Sequence, residues 1–238
     1  MQLGYETRMT DEPYVLHYAP DNASLIIRLA LEEINAPYCT RLVDRRIEAQ
    51  KSEAYRALNP MGLIPALETP EGPLFETGAI LLWLAERHHG LTAVSGPPHD
   101  ADTLKWLFYL SNTLHPALRM LFYPSVYIGT RHSDQQQLIQ VTQTNVCRSL
   151  TLLNSQWKCT SPGLMHDIYL APMLRWLALY PQSSDKNWFQ LARYPALMDM
   201  AARLETRPSV HAAQSAEGLG PTPFTAPILP VPPEGSAL

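Results

Sequence analysis

The chain has 238 residues, of which 46% are apolar, and 18 Lys and Arg against 22 Asp and Glu leave a net charge of −4. The length favours two modest domains, and the negative balance argues against non-specific binding of nucleic acid. No apolar run approaches the roughly 20 residues of a membrane span, and the N-terminus lacks the apolar region of a signal peptide. We therefore expect a cytoplasmic protein that binds neither nucleic acid nor membrane.

Cysteine and histidine spacing gives no sign of a metal site. The three cysteines, Cys39, Cys147 and Cys159, show no CxxC spacing, and none of the eight histidines pairs with a cysteine at metal-ligand spacing. We expect no disulfide framework and no bound metal.

Residues 1–12 are polar and unpatterned, which predicts a flexible arm. Residues 13–90 then alternate strand-like and helix-like segments. The predicted strands are Tyr14–Tyr18, Pro37–Asp44, Ile64–Thr69 and Pro73–Phe75, and the predicted helices are Ser24–Asn35, Gln50–Leu58 and Thr77–His88. The order βαβ, helix, ββα requires a small mixed sheet with helices packed against it.

Residues 91–100 are rich in turn formers and predict a linker, after which only helical patterns follow. Residues 101–212 therefore form a predicted all-α domain, with helices over Asp102–Phe122, Ser133–Lys158, Asp167–Tyr180 and Pro195–Thr206. Residues 213–238 are the predicted tail. Its last 18 residues hold six of the 22 prolines, so we expect extended or disordered chain there.

Several motifs, spread in order over about residues 13–212, resemble those of the glutathione S-transferase superfamily. They are Asn59–Leu67 (NPxG-x-V/I-P-x-L), Glu76–Ile80 (E-S/T-x-A-I), Asp167–Leu170 with Trp176 (DIYLA…W), and Tyr194-Pro195 with Arg207–Val210 (the closing helix and RPxV). The pattern is similar to bacterial members, nearest to the beta class. The resemblance implies an α/β thioredoxin-like N-terminal domain, an all-α C-terminal helical domain, glutathione as co-substrate, and a homodimer.

The resemblance also implies the residues that bind glutathione. In the family a cis bond at Ile64-Pro65 exposes backbone groups that pair with the cysteinyl part, whereas an edge-strand trans proline is the alternative. Glu76 and Thr77 correspond to the residues that hold the two ends of the γ-glutamyl group at a helix N-terminus, although simple capping by Thr77 also fits.

The position that reacts with the thiol departs from the family pattern. Residues 19–25 read APDNASL and resemble the beta-class P-G-A-C-S-L, so Ala23 stands where the catalytic cysteine is expected. Either Asn22 or Ser24 is then a candidate donor to the glutathione thiolate, beside the positive end of the following helix. Each also has a local explanation, since Ser24 suits a helix cap and Asn22 a turn.

A second catalytic candidate lies in the helical domain. Residues 106–116 resemble the WL…S-x-L-H helix of beta-class enzymes, which implies that His115 faces the glutathione sulfur. Phe108, Asn112 and His115 are spaced i, i+4 and i+7, so we predict that they share one stripe and line the acceptor pocket, beside a kink at Pro116. The alternative is a histidine buried in the interdomain core.

The glycyl end of glutathione has no clear partner, because Leu63 stands where the family often has Lys or Gln. Arg45, Arg46 and Lys51 are the candidates. The leading hypothesis is a detoxifying glutathione transferase whose bound thiolate attacks an apolar electrophile. The alternatives are a non-catalytic relative that binds glutathione or another ligand, a glutathione-dependent peroxide or disulfide reductase, and a partner-binding scaffold.

Overall fold

A computed structural model describes residues 13–92, 100–159 and 161–237. The predicted N-terminal arm and most of the predicted linker lie outside these ranges.

The N-terminal domain is built on a four-stranded mixed sheet. Its strands are β1 (Tyr14–Tyr18), β2 (Tyr38–Leu42), β3 (Ala66–Thr69) and β4 (Gly72–Phe75), and its helices are α1 (Ser24–Glu33), α2 (Glu53–Leu58) and α3 (Thr77–Arg87). The strand order is β2-β1-β3-β4, with β1 parallel to β2 and antiparallel to β3, and β3 antiparallel to β4. The predicted thioredoxin-like fold is therefore confirmed, and two 3₁₀ turns, Arg45–Ile47 and Ala49–Lys51, join β2 to α2.

Within the described ranges, everything regular beyond residue 100 is helical, as predicted. The elements are α4 (Ala101–Tyr109), a π-helical turn (Leu110–Leu114), α5 (His115–Phe122), α6 (Pro124–Ile128), α7 (His132–Cys159), α8 (Leu164–Leu179), a 3₁₀ turn (Leu191–Arg193), α9 (Pro195–Glu205) and α10 (Pro208–Glu217). Helix α10 continues past residue 212, where we placed the end of the helical domain. No helix in the described part of the chain is both long and apolar enough to cross a bilayer.

Helix α1 lies at the centre of the molecule. All residues from Ser24 to Leu31 are buried, because α1 packs against β1 and α3 of its own domain and against α8 and α10 of the helical domain. Helix α8 is nearly as buried, and its single charged residue beyond the first turn is Arg175, which is 0% exposed. The two domains therefore share one apolar core.

Arg175 is neutralised by Asp21, which lies in the loop between β1 and α1. Its Nε donates to Asp21 Oδ1 at 2.9 Å, and the same carboxylate accepts from Trp176 Nε1 at 2.9 Å and from the Tyr180 hydroxyl at 2.6 Å. Asp21 has a left-handed backbone (φ 48°) that few L-residues adopt. These contacts join the N-terminal domain to α8 and its C-terminal end.

The C-terminal segment, residues 218–237, is extended and packs on the protein, which is the first of the two states expected from its prolines. Arg175 donates from Nη1 to the carbonyls of Leu219 and Pro223 at 3.1 Å each, and from Nη2 to that of Ile228 at 2.9 Å. Further along, Tyr18 donates to the Glu234 carboxylate. The segment thus returns to the N-terminal domain.

We predict that Asp21→Asn lowers the free energy of unfolding by about 3–5 kcal/mol, because it leaves the buried Arg175 guanidinium without a counter-charge. Urea unfolding followed by tryptophan fluorescence measures this change. Glu71→Gln is the control, since the Glu71 carboxylate contacts Arg87 and Trp83 Nε1 at the surface and its replacement should change stability little. Similar unfolding curves for both variants would contradict the importance of the buried pair.

Candidate functional site

A cavity of about 250 Å³ lies between the two domains. The N-terminal domain contributes the loop after β1, the Ile64-Pro65 turn and the start of α3. The helical domain contributes the π-helical turn, α5, and residues of α8 and its C-terminal end, and Ala237 of the C-terminal segment completes the lining. Both domains and the returning segment therefore build one site.

The turn before β3 presents backbone to this cavity. The Ile64-Pro65 bond is cis, as the resemblance implied, and both residues line the cavity. The preceding carbonyl, that of Leu63, accepts from the Tyr55 hydroxyl and from Asn59 Nδ2, each at 2.7 Å. Two side chains of the α2 region thus hold this turn in place.

Helix α3 points its N-terminus at the cavity. Glu76 is the N-cap residue, with a positive φ of 71°, and no side chain caps the helix. Thr77 is buried at 7% exposure, and Glu76 and Thr77 both line the cavity. The structure therefore offers backbone N–H groups, a hydroxyl and a carboxylate within one turn.

The two candidate thiol donors occupy different environments. Asn22 lines the cavity, and its Oδ1 accepts from the amide of Ala23 at 2.8 Å, which leaves the NH₂ group for a ligand. Ser24 is fully buried and is not part of the lining. Its hydroxyl donates to the Ala19 carbonyl at 3.0 Å and accepts from the Ala19 amide at 3.2 Å. Ser24 thus closes the loop, and this geometry does not support our prediction that it contacts a thiol.

His115 lines the cavity from the first turn of α5. Its Nδ1 lies 3.1 Å from the hydroxyl of Tyr169, and its ring centroid lies 5.8 Å from that of Trp176. Burial, with a smaller effect of the nearby Arg119 charge, lowers the pKa of His115 to about 4. The imidazole is therefore neutral at pH 7, with one nitrogen bound to Tyr169.

The predicted stripe of Phe108, Asn112 and His115 is not formed. Phe108 is 53% exposed, Asn112 is exposed, and neither lines the cavity. The reason is the π-helical turn Leu110–Leu114, whose wider turn rotates the residues before it relative to those after it. Pro116, which has no amide to donate to the Asn112 carbonyl, lies two residues after this turn. Ser111 lines the cavity in their place.

Of the three candidates for the glycyl end, only Arg45 lines the cavity. Arg46 is bound to Asp44 at 2.7 Å and Lys51 to Glu48, both on the surface. Arg45 donates from Nη1 to the Ala237 carbonyl at 2.7 Å and from Nη2 to the Tyr123 hydroxyl at 3.1 Å.

Several lining residues were not predicted from the sequence. They include Asp21, Arg119, Tyr169, Tyr180 and Ala237. One signal was available for Asp21, because an arginine inside the apolar run of α8 requires a buried counter-charge.

Comparison with known proteins gives consistent matches. The family model described as Glutathione S-transferase, N-terminal domain matches residues 23–87. Glutathione S-transferase GstA of Escherichia coli O157:H7 is 30% identical over 213 residues, which cover 86% of this chain and 98% of that protein. Disulfide-bond oxidoreductase YfcG of Escherichia coli K12 is 29% identical over 216 residues, 86% of this chain and 96% of that one.

A solved structure of a sphingomonad glutathione S-transferase complexed with glutathione is 30% identical to the chain. Its TM-score is 0.69, and the match covers 87% of this chain and 100% of that one.

The lowered pKa of His115 predicts a pH dependence of stability. In the unfolded chain the imidazole has a pKa near 6.5, whereas in the folded protein its pKa is about 4. Between these values the unfolded state binds the proton more tightly, so acidification lowers the stability of the fold. Between pH 7 and pH 5 the cost is about 2 kcal/mol. In urea unfolding, the free energy of unfolding of the wild type should fall by this much relative to that of His115→Gln. A difference that is constant with pH would contradict a neutral imidazole at this position.

Proposed function

Because the chain belongs to the glutathione S-transferase family, we propose that it is a cytoplasmic, homodimeric glutathione transferase. In this proposal, residues 13–90 bind glutathione and the helical domain holds an apolar electrophile. The observation that carries it is the interdomain cavity that Ile64, Pro65, Glu76 and Thr77 line together with Asn22 and His115. The chain covers 98% of one transferase relative and 100% of another, so the whole fold is available for the activity.

Binding of glutathione is supported by four groups of the N-terminal domain. The exposed backbone at Ile64 suits the cysteinyl part, which pairs as a short strand would. The uncapped start of α3 and the Thr77 hydroxyl suit the γ-glutamyl carboxylate, and Glu76 suits the ammonium. Arg45 supplies the positive charge for the glycyl carboxylate. These four contacts fix the sulfur between the domains.

Activation of the thiol is assigned to Asn22 and His115. The NH₂ group of Asn22 donates to the thiolate, beside the positive end of α1. When His115 Nδ1 accepts from Tyr169, the proton of the neutral imidazole is on Nε2, which donates to the sulfur from the opposite side. Hydrogen bonds to the anion lower the pKa of a thiol below its usual value of about 8.5.

Disulfide reduction is the second candidate, because the disulfide-bond oxidoreductase YfcG aligns over 86% of this chain. With Ala23 in place of the beta-class cysteine, no mixed disulfide forms at that position. The bound glutathione thiolate itself would attack a disulfide sulfur and release a thiolate. Both reactions need the same activated sulfur, so the acceptor distinguishes them. Parallel assays with 1-chloro-2,4-dinitrobenzene and with a small organic disulfide, at equal glutathione concentration, would distinguish the two reactions.

Titration of thiolate absorbance, with glutathione bound to excess protein, tests the activation. We expect a bound thiol pKa of about 7, and Asn22→Ala should raise it by about one pH unit because it removes a donor to the anion. Asn112→Ala is the matched control, since that side chain is exposed outside the cavity. A bound thiol that titrates as in free solution would instead favour a non-catalytic glutathione binder.

Thr77→Ala should weaken glutathione binding about tenfold in calorimetric titrations, because the γ-glutamyl carboxylate loses a hydroxyl donor. Thr144→Ala on the exposed side of α7 removes the same group far from the cavity and should leave the affinity unchanged. Equal affinities of both variants would show that Thr77 serves only the start of α3.

A further inference from the structure

Two arginines of the cavity have no carboxylate partner in the part of the chain that the structure describes. By contrast, seven arginines outside the cavity lining have a carboxylate within ion-pair distance. They are Arg28, Arg41, Arg46, Arg87, Arg131, Arg175 and Arg207. Arg45 and Arg119 line the cavity, and neither has such a partner among residues 13–92, 100–159 and 161–237. Outside the Asp21–Arg175 pair, the charged groups of the lining are these two guanidinium groups and the Glu76 carboxylate. Their net positive charge favours an anionic ligand.

Both guanidinium groups contact Tyr123. Arg45 donates to its hydroxyl at 3.1 Å, and the Arg119 Cζ lies 5.6 Å from its ring centroid. Arg119 Nε also donates to the Tyr127 hydroxyl at 3.3 Å. These contacts orient Arg119 through its Nε and its ring contact and leave its two Nη groups for a ligand. A guanidinium held in this way suits bidentate binding of a carboxylate.

The positions of the two arginines assign them to different ligands. Arg45 follows β2 in the N-terminal domain, where the proposed function places glutathione. Arg119 follows His115 by four residues, so it lies one turn along the same face of α5. That face continues into Phe122 and Tyr123, which also line the cavity. Arg119 therefore belongs to the acceptor side, beside aromatic rings and one turn beyond the imidazole that faces the sulfur.

We propose that Arg119 is a specificity-determining residue that binds a carboxylate of the electrophile, so that the preferred acceptors are aromatic electrophiles carrying an anionic group. This inference rests on the proposed function for the identity of the ligand as an acceptor. The anion binds Arg119 while the aromatic body lies along Phe122 and Tyr123. The reactive carbon then points back towards His115 and the glutathione sulfur.

A matched pair of compounds, 4-chloro-3-nitrobenzoate and 4-chloro-3-nitrobenzamide, tests the proposal, because the two differ in charge and hardly in shape. In the reaction, the thiolate forms a C–S bond at the chlorine-bearing carbon, and chloride leaves with the electron pair of the C–Cl bond. With S-methylglutathione no reaction occurs. Binding can therefore be measured by calorimetry on the full chain saturated with S-methylglutathione.

We expect the wild type to bind the benzoate more tightly than the benzamide by about tenfold, the effect of one charge-assisted contact. Arg119→Met should abolish this preference and leave benzamide binding unchanged, which also reports an intact fold. Arg119→Lys should restore part of the preference. Arg131→Met, which removes an exposed charge just before α7 and outside the cavity, should behave as the wild type.

Three results would overturn the assignment. They are equal binding of the two compounds by the wild type, an unchanged preference in Arg119→Met, and a loss of S-methylglutathione affinity in that variant, which would place Arg119 at the glutathione site. Turnover with glutathione separates this inference from the proposed function. If neither compound is converted but the binding preference depends on Arg119, the anion site stands and the transferase activity fails.

Discussion

The buried ion pair between Asp21 and Arg175 is the contact on which the site depends, since both side chains are 0% exposed. Such a pair is tolerated only when its remaining hydrogen-bonding groups are satisfied. Here Trp176 and Tyr180 donate hydrogen bonds to the Asp21 carboxylate, and carbonyls of the C-terminal segment accept hydrogen bonds from the Arg175 guanidinium. Because Asn22 is the next residue, the same contact sets where the proposed thiol donor lies.

A second buried carboxylate extends this network to α10. Glu217 accepts from the amide of Asp21 at 2.8 Å and from Arg28 Nε at 2.7 Å. Burial raises the pKa of Glu217 to about 6, although the arginine opposes this shift. The loop after β1 is thus held both by the backbone amide and by the side chain of Asp21. A loop fixed at both points keeps its donors oriented before a ligand arrives, which is how preorganised sites gain rate.

The architecture could be predicted from local patterns, whereas only part of the site could. Alternating and helical periodicity predicted β1, α1 and α3, and the motif around Ile64-Pro65 predicted residues that line one side of the cavity. The prediction from regular helical spacing was wrong for Phe108 and Asn112, because a π-helical turn changes which face of the helix each residue occupies. Such a turn depends on tertiary packing and not on local spacing. The partner of Arg175 is 154 positions away. A charge in an apolar helix shows that a counter-charge is needed but not which residue supplies it.

In the proposed reaction the electrostatics of the cavity are decisive, because Ala23 provides no thiol and the reactive sulfur has to come from glutathione. His115 does not provide a positive charge at pH 7, since burial keeps its imidazole neutral. The permanent charge on that side belongs to Arg119, which is close enough to lower the pKa of His115 further. An arginine keeps its charge at all physiological pH values. The field that favours an anion near α5 is therefore independent of the titration of His115.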